Sequence, residues 1–172
     1  MAKLRIYKTD PSIVLPKFQT EQSACFDVAY QMNGKFEYTG FASNNKPMVR
    51  PFKDGALFVN PKERVMVPTG LIFDIPEGYS VRLHARSGLS FKKGLVLANS
   101  EAVIDSDYVE ETFVLLYNRS DNGVWIQNGD RICQGEMVRS SRYSIEETEE
   151  RPQVKTSRNG GMGSTGVETK NE

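Results

Sequence analysis

The stretch RVMVPTGLIFDIPEGYSVRLHA, residues 64–85, decides the fold class. It contains three short runs rich in β-branched and aromatic residues, separated by PTG and PEGY. Such runs form strands, and proline and glycine supply the backbone conformations of tight turns. Apolar and polar residues alternate from Tyr79 to Ala85, which predicts a strand with one buried face. His84, the only histidine, then lies on the polar face.

The same pattern continues along the chain. GLVLA, TFVLLYN, GVWIQ and RICQGEMV are further strand-like runs, and SDNG and QNGD separate some of them. This punctuation predicts an all-β fold, a barrel or a sandwich. Residues 31–60 carry Gly, Asn and Pro between short aromatic pieces and predict an extended hairpin or a long loop. The one candidate for a helix is SSRYSIEETEE, residues 140–150, with a loop or a last strand as the alternatives.

Composition sets limits on the class of protein. A chain of 172 residues is about the size of one domain. Lys plus Arg and Asp plus Glu both total 22, so no excess charge indicates direct binding of nucleic acid or of an anionic membrane. No apolar run approaches the ~20 residues of a membrane span, and the N-terminus lacks the apolar region of a signal peptide. Cys25 and Cys133 lack metal-ligand spacing, which favours reduced cysteines in a cytoplasmic protein.

The polar end of the chain predicts a domain boundary. From about Glu146 the composition cannot bury enough apolar surface to stay ordered alone. We therefore expect a β domain over residues 1–150 and a flexible C-terminal segment over residues 151–172.

Three short groups have residue types that suit a phosphate or a turn. ARSGL, residues 85–89, offers a forked cation, a hydroxyl and an unhindered backbone, although a strand-end turn with a solvated arginine has the same composition. GGMGSTG, residues 160–166, offers consecutive free N–H groups but lacks the GK[ST] ending of a P-loop, and flexible-tail composition is the alternative. GDRICQ, residues 129–134, is typical of a turn that enters a strand.

The acidic stretch EAVIDSDYVEE, residues 101–111, could supply a general base. If the strand continues, Asp105 and Asp107 share a face and Tyr108 lies on the other; a turn between the aspartates breaks this relation. Two close carboxylates can raise the pKa of one of them, which suits a general base. A solvated acidic loop is the alternative. The two glutamates that end the stretch are expected to face solvent or an interface.

Five motifs taken together resemble a known family. ACFDV, ARSGL, NSEAVIDSDY, NGDRICQ and RNGGMGSTG resemble, in this order, the five motifs of the trimeric deoxyuridine triphosphatase (dUTPase) family, and they extend from Ala24 to Gly166. The resemblance implies a jelly-roll-like β-barrel subunit with a flexible C-terminal arm, in a homotrimer whose sites lie at subunit interfaces. It also implies Mg²⁺-dependent hydrolysis of dUTP to dUMP and pyrophosphate, which limits uracil in DNA.

The resemblance assigns roles to individual residues. Asp105 is the base that deprotonates water for attack on the α-phosphorus, and Asp27 holds Mg²⁺ through water. Asn99 contacts the uracil edge, and Tyr108 lies under the deoxyribose and excludes a 2′-hydroxyl. The C-terminal arm closes as a lid over the nucleotide. The remaining substrate contacts are Arg86, Ser87, Gly88 and Gln134 from the domain, and Arg158, Met162, Gly163, Ser164 and Thr165 from the arm.

The chain departs from the family pattern at several positions. Cys25 and Ala85 replace a glycine and a proline without removing a reactive group, and Glu110 replaces another glycine. Ala102 replaces a glycine beside the base, so its methyl group is expected to reshape the uracil slot. Met162 replaces the lid aromatic and lacks its π-face, which predicts weaker lid closure.

Three other functions stay open from the sequence. The dCTP deaminases of the same fold need a catalytic glutamate where Leu115 stands, and leucine cannot carry protons. A triphosphatase for another deoxypyrimidine nucleotide is a second possibility. A regulatory binding protein, with residues 31–60 as the surface for a protein partner, is the third. The joint presence of Asp27, Arg86, Asp105 and Tyr108 favours the enzyme.

Overall fold

The computed structural model describes residues 2–157, in which strands dominate. Two five-stranded sheets and two two-stranded sheets contain every strand of the described residues. The all-β prediction is therefore confirmed. Within these residues the strand pairings do not close a barrel, because no strand of one sheet pairs with a strand of another sheet.

The first large sheet contains Asp27 and Gln134 of the predicted site, and Arg86 directly follows one of its strands. Its strand order is β11-β9-β14-β3-β2, and each neighbouring pair is antiparallel. The strand bounds are β2 Lys17–Phe18, β3 Phe26–Ala29, β9 Tyr79–Ala85, β11 Ala102–Ile104 and β14 Arg131–Arg139.

The second large sheet contains part of residues 31–60. Its order is β10-β12-β7-β4-β5, so residues 31–60 supply two of its strands as a hairpin, one of the two predicted alternatives. The bounds are β4 Glu37–Phe41, β5 Pro47–Pro51, β7 Arg64–Pro68, β10 Leu95–Leu97 and β12 Phe113–Asn118. The two small sheets pair β1 Arg5–Lys8 with β8 Leu71–Asp74, and β6 Leu57–Val59 with β13 Val124–Ile126.

Alternating side chains of the strands form one hydrophobic core. In β12, Val114 and Leu116 are buried whereas Leu115 between them is exposed. Val81 and Leu83 of β9 are fully buried in the same cluster. Burial of each such side chain stabilises the fold by about 1.5–3 kcal/mol relative to exposure.

The one candidate helix of the sequence is not formed. Residues 140–150 form neither helix nor strand, which agrees with the loop alternative. A helix that the sequence did not predict, α1 Ser87–Lys93, follows β9 directly. It is seven residues long and buries none of its side chains, so it has no apolar stripe that a periodicity search could find. Gly94, at φ 67°, ends it in the left-handed conformation.

The chain divides into two compact units, Met1–Arg142 and Tyr143–Glu172. In the second unit, residues 143–157 contain no helix or strand. The contacts predicted for Arg158 and for residues 162–165 lie outside the described residues. Over residues 2–157, no helix combines the length and hydropathy that a membrane span requires.

Candidate active site

The predicted phosphate-binding residues line one open cavity of about 460 Å³. The end of β9, the start of α1 and the facing positions of β3 and β14 bring them together, since Gln134 pairs with His84 on one side and with Asp27 on the other. The structure therefore unites five residues from three distant parts of the sequence. They are Asp27, Arg86, Ser87, Gly88 and Gln134.

Two arginines and one carboxylate give this cavity a net positive charge. Asp27 Oδ1 lies 3.1 Å from Arg86 Nε, and its Oδ2 lies 2.8 Å from a terminal nitrogen of Arg131. Arg86 also donates to the backbone carbonyl of Arg131 at 2.9 Å. Because one carboxylate faces two guanidinium groups, one positive charge remains for an anion. Arg131 was missed from the sequence, although it lies inside the GDRICQ motif.

The backbone at the start of α1 is accessible to a ligand. No side chain caps this N-terminus. A Cβ built on Gly88 would meet no atom within 4 Å, so neighbouring side chains do not require glycine there. Gln134 Nε2 lies 3.4 Å from the carbonyl of Ala85, at the outer limit of a hydrogen bond. These polar groups can exchange their contacts for a phosphate without opening the core.

Asn99 lies in the turn between β10 and β11, two strands that belong to different sheets. The turn is tight, because Ser100 has φ 64° and the N–H of Glu101 donates to the carbonyl of Asn99 at 2.7 Å. Glu101 fixes the turn to β9: it lies 3.0 Å from Arg82 and 3.6 Å from His84 Nδ1. The exposed Asn99 side chain is thus carried by an anchored turn.

Asp105 and Tyr108 lie in the turn that follows β11. The N–H of Tyr108 donates to the carbonyl of Asp105 at 3.2 Å, which closes a turn through Ser106 and Asp107. The strand therefore does not continue, and the shared face of the two aspartates is not formed. Asp105 and Tyr108 are both solvent-exposed, so a substrate can reach them.

The prediction that Glu110 and Glu111 face solvent or an interface is wrong for Glu111. Its side chain is only 13% exposed and pairs with Lys35 Nζ at 2.8 Å. Its second carboxylate oxygen accepts a hydrogen bond from the N–H of Gly70 at 3.0 Å. Both partners are distant in sequence, which is why the acidic stretch alone did not reveal this role.

Within one chain, the predicted base Asp105 lies far from the phosphate cavity. β11 runs antiparallel to β9, with Ile104 opposite Val81. Asp105 follows Ile104, whereas Arg86 lies beyond the other end of β9, roughly 17 Å further along the strand. Asp105 and Arg86 of the same chain therefore cannot contact one phosphate group together.

Ala102 is partly buried. It shares a face with the buried Ile104, and it packs against the hydrophobic core opposite Leu83. Its methyl group therefore makes a packing contact, and its effect on a uracil slot stays a prediction. Leu115 is 41% exposed and lines an apolar cavity with Asn99, where it offers no proton donor or acceptor.

The carboxylate expected to hold Mg²⁺ is already paired. Both oxygens of Asp27 contact arginines, and within residues 2–157 no three His, Cys, Asp or Glu side chains form a metal-binding group. These residues do not fit a resident metal ion held by protein ligands. A carboxylate that pairs with two arginines keeps lone pairs that can accept hydrogen bonds from the water shell of a cation, and the metal role of Asp27 stays a prediction.

Neither cysteine has the properties of a nucleophile. Burial, with a smaller effect from Asp27, raises the pKa of the Cys133 thiol to about 12, although Arg86 lowers it. Burial also raises the pKa of Cys25, and Glu136 and Asp27 add to that effect. Because the thiolate is the reactive form, both side chains are inert at neutral pH.

Comparison with known proteins agrees with the motif order. A family model described as dUTPase matches residues 54–166. The chain belongs to the dUTPase family. A deoxyuridine 5'-triphosphate nucleotidohydrolase of Nautilia profundicola is 34% identical over 164 residues, which cover 95% of this chain and 99% of that protein. One from a Hydrogenobaculum species is 40% identical over 114 residues, covering 66% of this chain and 78% of that one.

A solved structure supports the same fold. The dUTPase of Staphylococcus bacteriophage 80alpha with dUPNHPP has a TM-score of 0.73 at 21% identity, covering 96% of this chain and 99% of that chain. At this identity the likeness concerns the fold. The dUTPase fold thus extends over nearly the whole length of the chain.

Proposed function

We propose that this protein hydrolyses the Mg²⁺ complex of dUTP to dUMP and pyrophosphate. The cavity lined by Asp27, Arg86, Ser87, Gly88 and Gln134 is the observation that supports it most directly. Its residual positive charge, hydroxyl donor and open backbone suit a polyphosphate, which brings its own cation as part of the substrate.

In the proposed reaction, Asp105 removes a proton from a water molecule, whose oxygen then attacks the α-phosphorus. The bond from the α-phosphorus to the bridging oxygen breaks, and pyrophosphate leaves with that oxygen. Arg86 stabilises the negative charge on the phosphate chain, and the hydroxyl of Ser87 donates to it. Positioning and charge neutralisation account for most of the acceleration in phosphoryl chemistry.

We propose further that a homotrimer completes each site. The separation of Asp105 from Arg86 within one chain supports this proposal, because a second copy can place its own Asp105 and Tyr108 against the cavity. Asn99, on the anchored turn, contacts the uracil edge through its amide, which offers both a donor and an acceptor. The C-terminal residues Arg158, Met162, Gly163, Ser164 and Thr165 are proposed as the lid.

Pyrophosphate release tests the function. The purified protein is assayed with dUTP, dCTP, dTTP and UTP in the presence of Mg²⁺, with Asp105→Asn as the control. We expect dUTP to have the highest kcat/KM and the variant to lose activity by roughly 100-fold or more. Preference for another nucleotide would refute the substrate, and full activity of Asp105→Asn would refute the assigned base.

A further inference from the structure

Residues 31–60 look like an insertion relative to the family motifs and are called the inserted segment. They are firmly joined to the domain. β4 pairs with β7, so the hairpin extends the second large sheet. Arg50 makes two hydrogen bonds to the buried Glu63, at 2.8 and 2.6 Å. The hydroxyl of Tyr38 donates to the carbonyl of Phe58 at 2.7 Å. The segment is therefore a fixed part of the sheet, and it can restrict the movement of residues that contact it.

Lys35, just before β4, links the inserted segment to the residues that follow the Asp105 turn. Its ammonium group lies 2.8 Å from Glu111 Oε2 and 5.5 Å from the ring centroid of Phe113. The two charged side chains are 33% and 13% exposed. Partial burial reduces the screening of their attraction by water and salt.

Glu111 makes contacts with Lys35, Gly70 and Tyr108. Its carboxylate binds Lys35 and the N–H of Gly70. Its backbone carbonyl accepts the hydroxyl of Tyr108 at 3.0 Å. The N–H of Tyr108 in turn binds the carbonyl of Asp105. The position of the tyrosine ring therefore depends on a residue that the inserted segment holds in place.

We propose that Lys35 is a positioning residue that fixes Tyr108 through Glu111, so that the inserted segment sets the discrimination against a ribose 2′-hydroxyl. This inference depends on the proposed function, in which Tyr108 lies under the sugar. A ring excludes an additional hydroxyl group only if it cannot move away, because a displaced ring leaves room for the larger sugar. The Lys35–Glu111 pair limits that displacement.

The test compares kcat/KM for dUTP and for UTP in the full-length protein. Lys35→Met removes the charge and keeps the alkyl chain near Phe113. We expect the dUTP to UTP ratio to fall by about tenfold. Lys35→Arg keeps the charge and should restore most of the ratio. The matched control is Lys53→Met, an exposed lysine of the same segment, which should leave the ratio unchanged.

A double-mutant cycle tests whether the effect passes through Glu111. Glu111→Gln keeps an acceptor for the N–H of Gly70 but loses the charge. If the pair acts as a unit, the double variant should have nearly the same ratio as either single variant. Glu111→Gln also provides a second measurement of the ratio if Lys35→Met does not fold.

The outcomes separate this inference from the proposed function. A wild-type protein that does not hydrolyse dUTP overturns both. An active wild type with an unchanged ratio in Lys35→Met and Glu111→Gln overturns only the inference, even if their thermal stability falls. An equal loss of ratio in Lys53→Met also overturns it, because the effect would not be specific to the pair.

Discussion

Gly88 allows the requirements of folding and of phosphate binding to be separated at a single residue. It lies in the first turn of α1, where a Cβ would meet no atom within 4 Å. Glycine in a helix is less stable than alanine by roughly 0.5–1 kcal/mol. Packing therefore gives no reason for this glycine, whereas close approach of a phosphate to the backbone does.

Gly88→Ala is expected to change stability and activity in opposite directions. The free energy of unfolding in urea should stay the same or rise by up to about 1 kcal/mol. The KM for dUTP should rise at least about tenfold, because the methyl group occupies space next to the phosphate chain. A stable variant with unchanged KM would show that the phosphate does not approach this backbone.

Glu63 is the residue for which the structure predicts an effect of pH on stability. Burial alone would raise the pKa of Glu63, but hydrogen bonds from Arg50 and from Asn60 outweigh burial and hold the pKa below its ordinary value of 4.5. A carboxyl group with a lowered folded-state pKa stabilises the protein at higher pH. That stability is lost as the pH falls below about 4.5 and through the folded-state pKa.

Glu63→Gln should therefore lower the free energy of unfolding by roughly 1–3 kcal/mol at neutral pH. The difference from the wild type should shrink as the pH falls below about 4.5. Urea unfolding from about pH 7 to about pH 3 measures it. The exposed Glu37 of β4 is the control, since Glu37→Gln should cause little change at any pH. A pH-independent difference for Glu63→Gln would contradict the assignment.

At the scale of elements, the predictability of each part follows from the kind of contact that forms it. β9 and β12 were predicted because local alternation determines which of their side chains are buried. The helix α1 was not, because it buries none of its residues and has no pattern to detect. Glu111 was misplaced because its partners, 76 and 41 residues away in sequence, are brought to it only by the sheet.

The candidate site likewise has some features that the sequence predicts and others that only the structure reveals. The residues of the phosphate cavity came from a resemblance of ordered motifs, since each motif alone was ambiguous. The structure added what motif order cannot provide: the pairing of Asp27 with Arg131, and the inward packing of Ala102. Both depend on strand register, which a single sequence does not determine.

The attachment of β4 to β7 can be tested at Gly40. A Cβ at this position would collide with the backbone carbonyl oxygen of Arg64, which cannot rotate away. Gly40→Ala should therefore lower the free energy of unfolding by about 1–3 kcal/mol. Urea unfolding measures the loss, with Gly88→Ala as the matched control in open space. A variant as stable as the wild type would mean that the hairpin can shift without cost.

At the scale of the whole molecule, the distance between Asp105 and the phosphate cavity makes a prediction about assembly. In the proposed homotrimer, each chain would supply one half of a site at Arg86 and the other half of a second site at Asp105. If sites form between copies, Asp105→Asn and Arg86→Gln damage different halves. Homotrimers containing both variants then contain some sites with both halves intact.

Co-expression of the two variants, each with its own affinity tag, tests this arrangement. Each variant alone should be nearly inactive in pyrophosphate release. Every trimer that contains both variants has one intact site in three, so trimers purified through both tags should recover up to about a third of the wild-type activity per site. Arg86→Gln co-expressed with Asp27→Asn is the control, because both changes affect the same half and no intact site can form. Activity that stays at the level of the single variants would contradict shared sites, as would a monomer in light scattering.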